Sequence, residues 1–187
     1  MRWLVGTVLV LLVSFVIYVG SAVWSVKGLV EAAQSGNGPG IIARTDLPRL
    51  KRSLVDQIVR AYLGRQGAKL SLMERVLANT YGASIADALV GKILTEENIT
   101  KILRDGVVTE ELPDAHMPAL AGLDFSNTFG ILRRLSPVKI VEFEIALGND
   151  ASSGAISLHF EGNGWKLSGF NLPANAVRAL AETLPIK

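Results

Sequence analysis

Residues 139–147 read KIVEFEIAL, residues 155–160 read AISLHF, and residues 165–172 read WKLSGFNL. In the first run Val141, Phe143, Ile145 and Leu147 alternate with Glu142, Glu144 and Ala146. In the second, Ile156, Leu158 and Phe160 alternate with Ser157 and His159. An alternation of period two puts apolar side chains on one face of a strand and polar ones on the other. The segments between the runs, GNDASSG and EGNG, are turn sequences, so the runs predict consecutive antiparallel strands. A further strand is expected around Gly130–Leu135.

Upstream of residue 107 the apolar period changes to that of helices. Leu47, Leu50, Leu54, Ile58 and Ala61 recur every three or four residues and predict one buried helix face, with Arg49, Arg52 and Arg60 pointing elsewhere. Asp46 is placed to cap that helix, and Pro48 falls inside its first turn. A third helix is expected from Ser71. Its apolar face is read as Met73, Val76, Leu77, Tyr81, Ile85, Ala88 and Leu89, with Gly82 or Gly91 as points of interruption. A fourth starts at Thr95 as N-cap, carries Glu96 and Glu97 in its first turn and Arg104 near its end, and stops at Gly106. Residues 107–122 read as a loop. Pro173 and Pro185 bracket a short last helix with Val177, Leu180, Ala181 and Leu184 inside. Helices first and hairpin-linked strands second imply an α+β fold, about four helices on a three- to four-stranded meander.

From Trp3 to Val26, 24 residues pass without a charged side chain. As a helix this stretch is roughly 36 Å long, enough for a hydrocarbon core of about 30 Å. Trp3, Tyr18 and Trp24 fall near its ends, where amphipathic rings favour the membrane interface. The competing reading is a cleaved signal peptide, with Gly20 and Ala22 as the small residues before a cut ahead of Val23. A single charged side chain, Arg2, precedes the run, and the run exceeds the ~7–15 residues of a signal-peptide core. The expectation is therefore an uncleaved signal anchor over 1–27 and a single exported domain over 28–187. That domain divides into a helical part (28–106), the loop (107–122), a sheet part (123–173) and a terminal helix (174–184). The anchor is expected to run on as helix through SVKGLVEAAQ and to break at SGNGPG. Arg2 and the terminal amine favour a cytoplasmic N-terminus. The expected setting is a membrane crossed once with the domain exported; in a Gram-negative cell this is the inner membrane, with the domain in the periplasm.

Composition narrows the function classes. The chain has no cysteine, so thiol chemistry and disulfides are excluded. Lys and Arg number 19 against 17 Asp and Glu, too even a balance for a nucleic-acid binder. Charge is unevenly placed. Arg44–Lys69 holds seven basic and two acidic residues, and Glu96–Asp114 two basic and six acidic. The basic stretch, through Arg44, Arg49, Lys51 and Arg52, is a candidate contact for anionic lipid headgroups. With two histidines, nucleophilic triads have few candidate bases. His159 reads as a surface residue, and His116 with Asp114, Glu110 and Glu111 lacks metal-binding spacing. Glu142 and Glu144, about 6.8 Å apart on one strand face, read as a solvated face rather than an acid–base pair. No metal, cofactor or catalytic residue is expected. The leading reading is a non-catalytic interaction domain with an unknown protein or lipid partner. The alternative is a binder of a small apolar ligand or lipid in a pocket between helices and sheet, lined by Phe143, Trp165 and Phe170.

Four segments carry a family likeness: VWSVKGLVEAAQSGN, TDLPRLKRSLVDQI, DALVGKILTEENITKIL and GNGWKLSGFNLP. In this order the chain resembles the bacterial domain-of-unknown-function family 2939, over most of residues 22–173. Asp46, Leu50, Arg52, Ser53 and Leu54 match its second helix opening, and Trp165, Lys166, Leu167, Leu172 and Pro173 its closing strand. Gly36-Asn37 departs from the family's Gly-Asp, with an inserted GPG lengthening the turn. The resemblance implies no activity.

Overall fold

The computed structural model describes residues 2–66, 72–108, 116–123, 133–148, 153–162 and 164–184. It is α+β. Helix α1 (Arg2–Gln34) is followed by α2 (Gly38–Ala43), α3 (Leu47–Gln66), α4 (Leu72–Ile93) and α5 (Glu96–Asp105). A 3₁₀ turn (Leu120–Gly122) precedes the strands β1 (Leu135–Lys139), β2 (Glu142–Ala146), β3 (Ala155–Glu161) and β4 (Gly164–Asn171). Helix α6 (Ala174–Glu182) ends the described chain. The strands form one antiparallel meander in the order β1-β2-β3-β4.

Alternation selects the buried face of the sheet. Phe143 faces Leu158, Ile145 faces Ile156, Ile156 faces Phe170 and Leu158 faces Leu167. These residues are at most 4% exposed. At roughly 1.5–3 kcal/mol for each large side chain removed from water, the stripe dominates the sheet's stability. Glu142, Ser157, His159 and Lys166 occupy the opposite face. KIVEFEIAL is not one strand. Ile140 and Val141 form the β1–β2 turn, so Val141, expected to be buried, is 40% exposed. A hairpin needs its reversal somewhere, and here it takes two β-branched residues out of the alternation. The expected strand at 130–135 begins only at Leu135, and residues 130–132 lie outside the described ones. β1 contains Pro137, which an edge strand tolerates.

The helices cap as their sequences dictate. The Thr95 hydroxyl accepts from the Asn98 amide at 3.2 Å, and Gly106 closes α5 with φ +75°. Asp46 caps α3 through the Arg49 amide at 3.1 Å. Leu50, Leu54 and Ile58 are buried, while Arg49, Arg52 and Arg60 are exposed. The SGNGPG break is shorter than expected: Asn37 caps α2, whose first residues are GPG, because Pro is favoured in a first helical turn.

Helix α4 runs through Gly82 and Gly91 without interruption, and its buried face is only partly the expected one: Ile85 and Leu89 pack against the core. Gly82, Ala86, Val90 and Ile93 face inward, whereas Tyr81 is 43% exposed and Ala88 is exposed. The Tyr62 ring packs so near Gly82 that a Cβ there would lie 3.3 Å from it. A helix apolar nearly all round has no single stripe, so the smallest residues take the closest contact. The side chains of Met73, Val76 and Leu77 lie outside the described residues.

β4 is flanked by more than its hairpin partner. The Leu167 amide donates to the Arg44 carbonyl, and the Asp46 amide donates to the Leu167 carbonyl, each at 2.8 Å. This parallel bridge covers an otherwise open sheet edge. Helix α3 then follows β4. Its Gln57 side chain donates to the Phe170 carbonyl at 2.5 Å and accepts from the Leu172 amide at 2.9 Å.

Two substitutions test this account. Thr95→Ala is expected to lower stability by about 1 kcal/mol, read as a lower urea midpoint at unchanged slope. Gly106→Ala is expected to cost more. It forces a side chain into φ +75° and brings a Cβ to 2.0 Å from the Met117 carbonyl oxygen, and the backbone conformation alone costs about 1–2 kcal/mol.

Candidate functional site

Helix α1 changes character along its length. The described residues from Trp3 to Ile17 are exposed, although nearly all are apolar. From Tyr18 onward the helix enters the protein core, where Ala22, Val26, Leu29, Val30 and Ala33 are at most 2% exposed. The domain boundary expected at residue 27 therefore falls within a stretch of helix that is already core.

The junction is aromatic. The Tyr18 ring stands 5.8 Å from Phe143, 6.3 Å from Phe160 and 5.1 Å from Trp165, and Trp165 lies 4.8 Å from Phe143. Tilted and edge-on pairs of this kind add about 0.5–1.5 kcal/mol each beyond the area they bury. The polar ends of the rings are satisfied. Trp165 Nε1 donates to Ser21 Oγ at 2.9 Å, and the Tyr18 hydroxyl donates to the Ile140 carbonyl in the β1–β2 turn. Beside this seam opens a cleft of about 620 Å³ with Phe15, Tyr18 and Val19 of α1 on one wall. Leu135, Pro137, Ile140 and Phe143 of the hairpin form the other wall. Of the three expected pocket residues, only Phe143 lines this cleft. Trp165 stacks behind it, and Phe170 is fully buried at 1% exposure.

The basic residues singled out from the sequence are spread along the α2–α3 segment. Arg44 folds back on α1. Its Nη1 donates to the Gly40 carbonyl at 2.9 Å, and a Cβ on Gly28 would lie 3.1 Å from its Nε. Arg49 pairs with Asp46 at 3.0 Å, and Lys51 with Asp87 at 2.8 Å. Arg52 is exposed and borders a polar groove of about 430 Å³ with Asp56, Lys139, Glu142 and Ser168.

Acid–base candidates are dispersed. Glu142 and His159 are direct cross-strand partners on the polar face, and His159 is half-buried there. Glu142 is engaged by Lys139 at 2.8 Å, and Glu144 accepts from Asn171 at 3.4 Å. Among the described residues no three His, Asp or Glu side chains gather as a metal site. Glu110, Glu111 and Asp114 lie outside the described residues, and His116 is exposed. Asp105 is held below its ordinary range by a hydrogen bond from Arg104, whose own guanidinium is stabilised in return. That pair is solvent-exposed at the end of α5, away from the clefts.

The sequence missed the apolar cleft. One available signal was Ile140-Val141, two exposed β-branched residues in a hairpin turn, where polar residues are the rule.

Neither a curated protein nor a solved structure matches the chain. The sequence model of one family matches residues 11–102, from within the first third of α1 into the last turn of α5, without the sheet motif that also suggested the resemblance. That family is described as Protein of unknown function (DUF2939), and the match supports the resemblance of this chain to it.

Proposed function

We propose that the protein is a non-catalytic, single-pass membrane protein that keeps its N-terminal helix. In this reading it presents one exported domain, periplasmic in a Gram-negative cell, to a protein or lipid partner of the envelope. The observation that carries the reading is the continuity of α1. One unbroken helix is bare and apolar at its start and core at its end. A lipid environment covers the first part without cost. Water would meet a row of Leu, Val and Phe side chains that are 49–67% exposed between Val5 and Ile17.

Cleavage ahead of Val23 fits the fold poorly. It would take Tyr18 from the aromatic cluster, Ser21 from the Trp165 indole and Ala22 from the core. A signal peptide is discarded after export, so its residues are not expected to complete the mature core. Arg2, next to the bare segment, favours a cytoplasmic N-terminus. The alternative reading, a binder of a small apolar ligand, has the cleft beside Phe143 behind it.

Two measurements test the proposal. In a cell fractionation the full-length chain is expected to stay with membranes through an alkaline carbonate wash, at the mass of the uncleaved protein. Release of a shorter soluble species beginning near Val23 would overturn the reading. A chain truncated to begin at Val23 is expected to unfold at lower urea than the full chain in detergent, with loss of the Trp165 near-ultraviolet signal. Equal stability would show that the aromatic seam is dispensable.

A further inference from the structure

The bare part of α1 is too short to cross a bilayer by itself. Trp3 to Ile17 measures about 22 Å at ~1.5 Å per residue, against about 30 Å of hydrocarbon. Tilting the helix enlarges the shortfall. The tryptophans give the missing length. Trp3 and Trp24 are 92% and 76% exposed, and on one continuous helix they stand about 32 Å apart. Indole rings at that spacing fit the two interfaces of one membrane. Lys27, 5.7 Å from the Trp24 ring, begins the charged side of that boundary.

If Trp24 marks the outer interface, Tyr18 lies about 9 Å inside it. The β1–β2 turn is at the level of Tyr18, because Tyr18 bonds the Ile140 carbonyl. That turn is apolar and uncovered: Ile140 is 87%, Val138 51% and Val141 40% exposed. A depth of about 9 Å falls within the ~5–10 Å reached by interfacial apolar elements. Lys139, on the same turn, is paired with Glu142 and has a long stem that lets its ammonium reach the headgroups. The β3–β4 hairpin at the same end of the sheet carries the Glu161–Lys166 ion pair on the strands beside its turn instead, so only one of the two hairpins is suited to enter lipid.

We infer that the β1–β2 hairpin tip, Val138–Val141, is a membrane-docking element that dips into the outer leaflet beside α1. Acyl chains of bilayer phospholipids then occupy the cleft between Phe15, Tyr18 and the hairpin. The domain is thereby held at a fixed tilt and depth rather than swinging on a tether. This inference rests on α1 remaining in the membrane.

The chain has no cysteine of its own, so single labels are clean. Ile140→Cys and, separately, Val138→Cys are labelled with an environment-sensitive fluorophore, with Glu161→Cys as the control at the polar turn. Each full-length protein is reconstituted in phosphatidylcholine–phosphatidylglycerol vesicles, with and without lipids carrying a nitroxide near the top of the acyl chain. The expected result is blue-shifted emission, quenching by the nitroxide lipid and loss of iodide quenching at 140 and 138, but not at 161. Labels at 140 and 138 that iodide quenches as strongly as the label at 161, with no nitroxide effect, would overturn the inference. So would shielding from iodide without nitroxide quenching, which would indicate a second copy of the chain on the tip. Retention of the same samples in the vesicle pellet after carbonate keeps the two questions apart. A retained protein with an aqueous tip defeats only the docking, whereas a released protein defeats the anchor.

Discussion

The fold depends on the packing of the second half of α1 against the apolar face of the meander, through Tyr18, Phe143, Phe160 and Trp165. A four-stranded sheet with one wet face needs a cover on the other. The cover at this end is the continuation of the same helix whose start has no protein partner. The two halves therefore differ in their surroundings. The helix cannot be withdrawn from the domain without uncovering Trp165 and leaving its indole N–H without the Ser21 hydroxyl.

Under the proposed reading, this arrangement changes what a membrane anchor means physically. An anchor joined by a flexible linker sets only a maximum distance between domain and bilayer. A helix continuous from lipid into core sets height and orientation as well, because a helix bends little over a few turns. Under the proposed reading, helix α3, the α2–α3 bridge onto β4 and the hairpins would all be placed relative to the membrane by one rigid rod. The basic residues of the α2–α3 segment contribute less than their number suggests. Arg49 and Lys51 are already matched by Asp46 and Asp87, which leaves Arg52 facing the groove.

Much of the architecture was legible in short windows of sequence. The caps at Thr95 and Asp46, the stop at Gly106, the buried stripe of α3 and the inward residues of β2, β3 and β4 all stand where their local patterns put them. The family resemblance also held for the helical half, where the family model matches. Three readings went astray for related reasons. The reversal at Ile140-Val141 has no Gly, Asn or Asp to mark it. The face of α4 was read correctly at Ile85 and Leu89 but not at Tyr81 and Ala88, because its apolar residues surround the helix. GPG was read as part of a turn although Pro also opens helices, and here it opens α2. The candidate cleft was not legible, since its walls come from residues 14–19 and 135–143, far apart in the chain.

Sequence by itself determined that this chain holds a long apolar helix, further helices and a late antiparallel meander, because periodicity and capping are encoded within a few neighbouring residues. Tertiary structure alone decided where along α1 lipid-like exposure gives way to core, and which turn stands beside it. The uncharged stretch Trp3–Val26 has no charged face to orient it, so its residues read the same whether hydrocarbon or protein covers them. Only the position of Phe143 and Trp165 in space distinguishes the two.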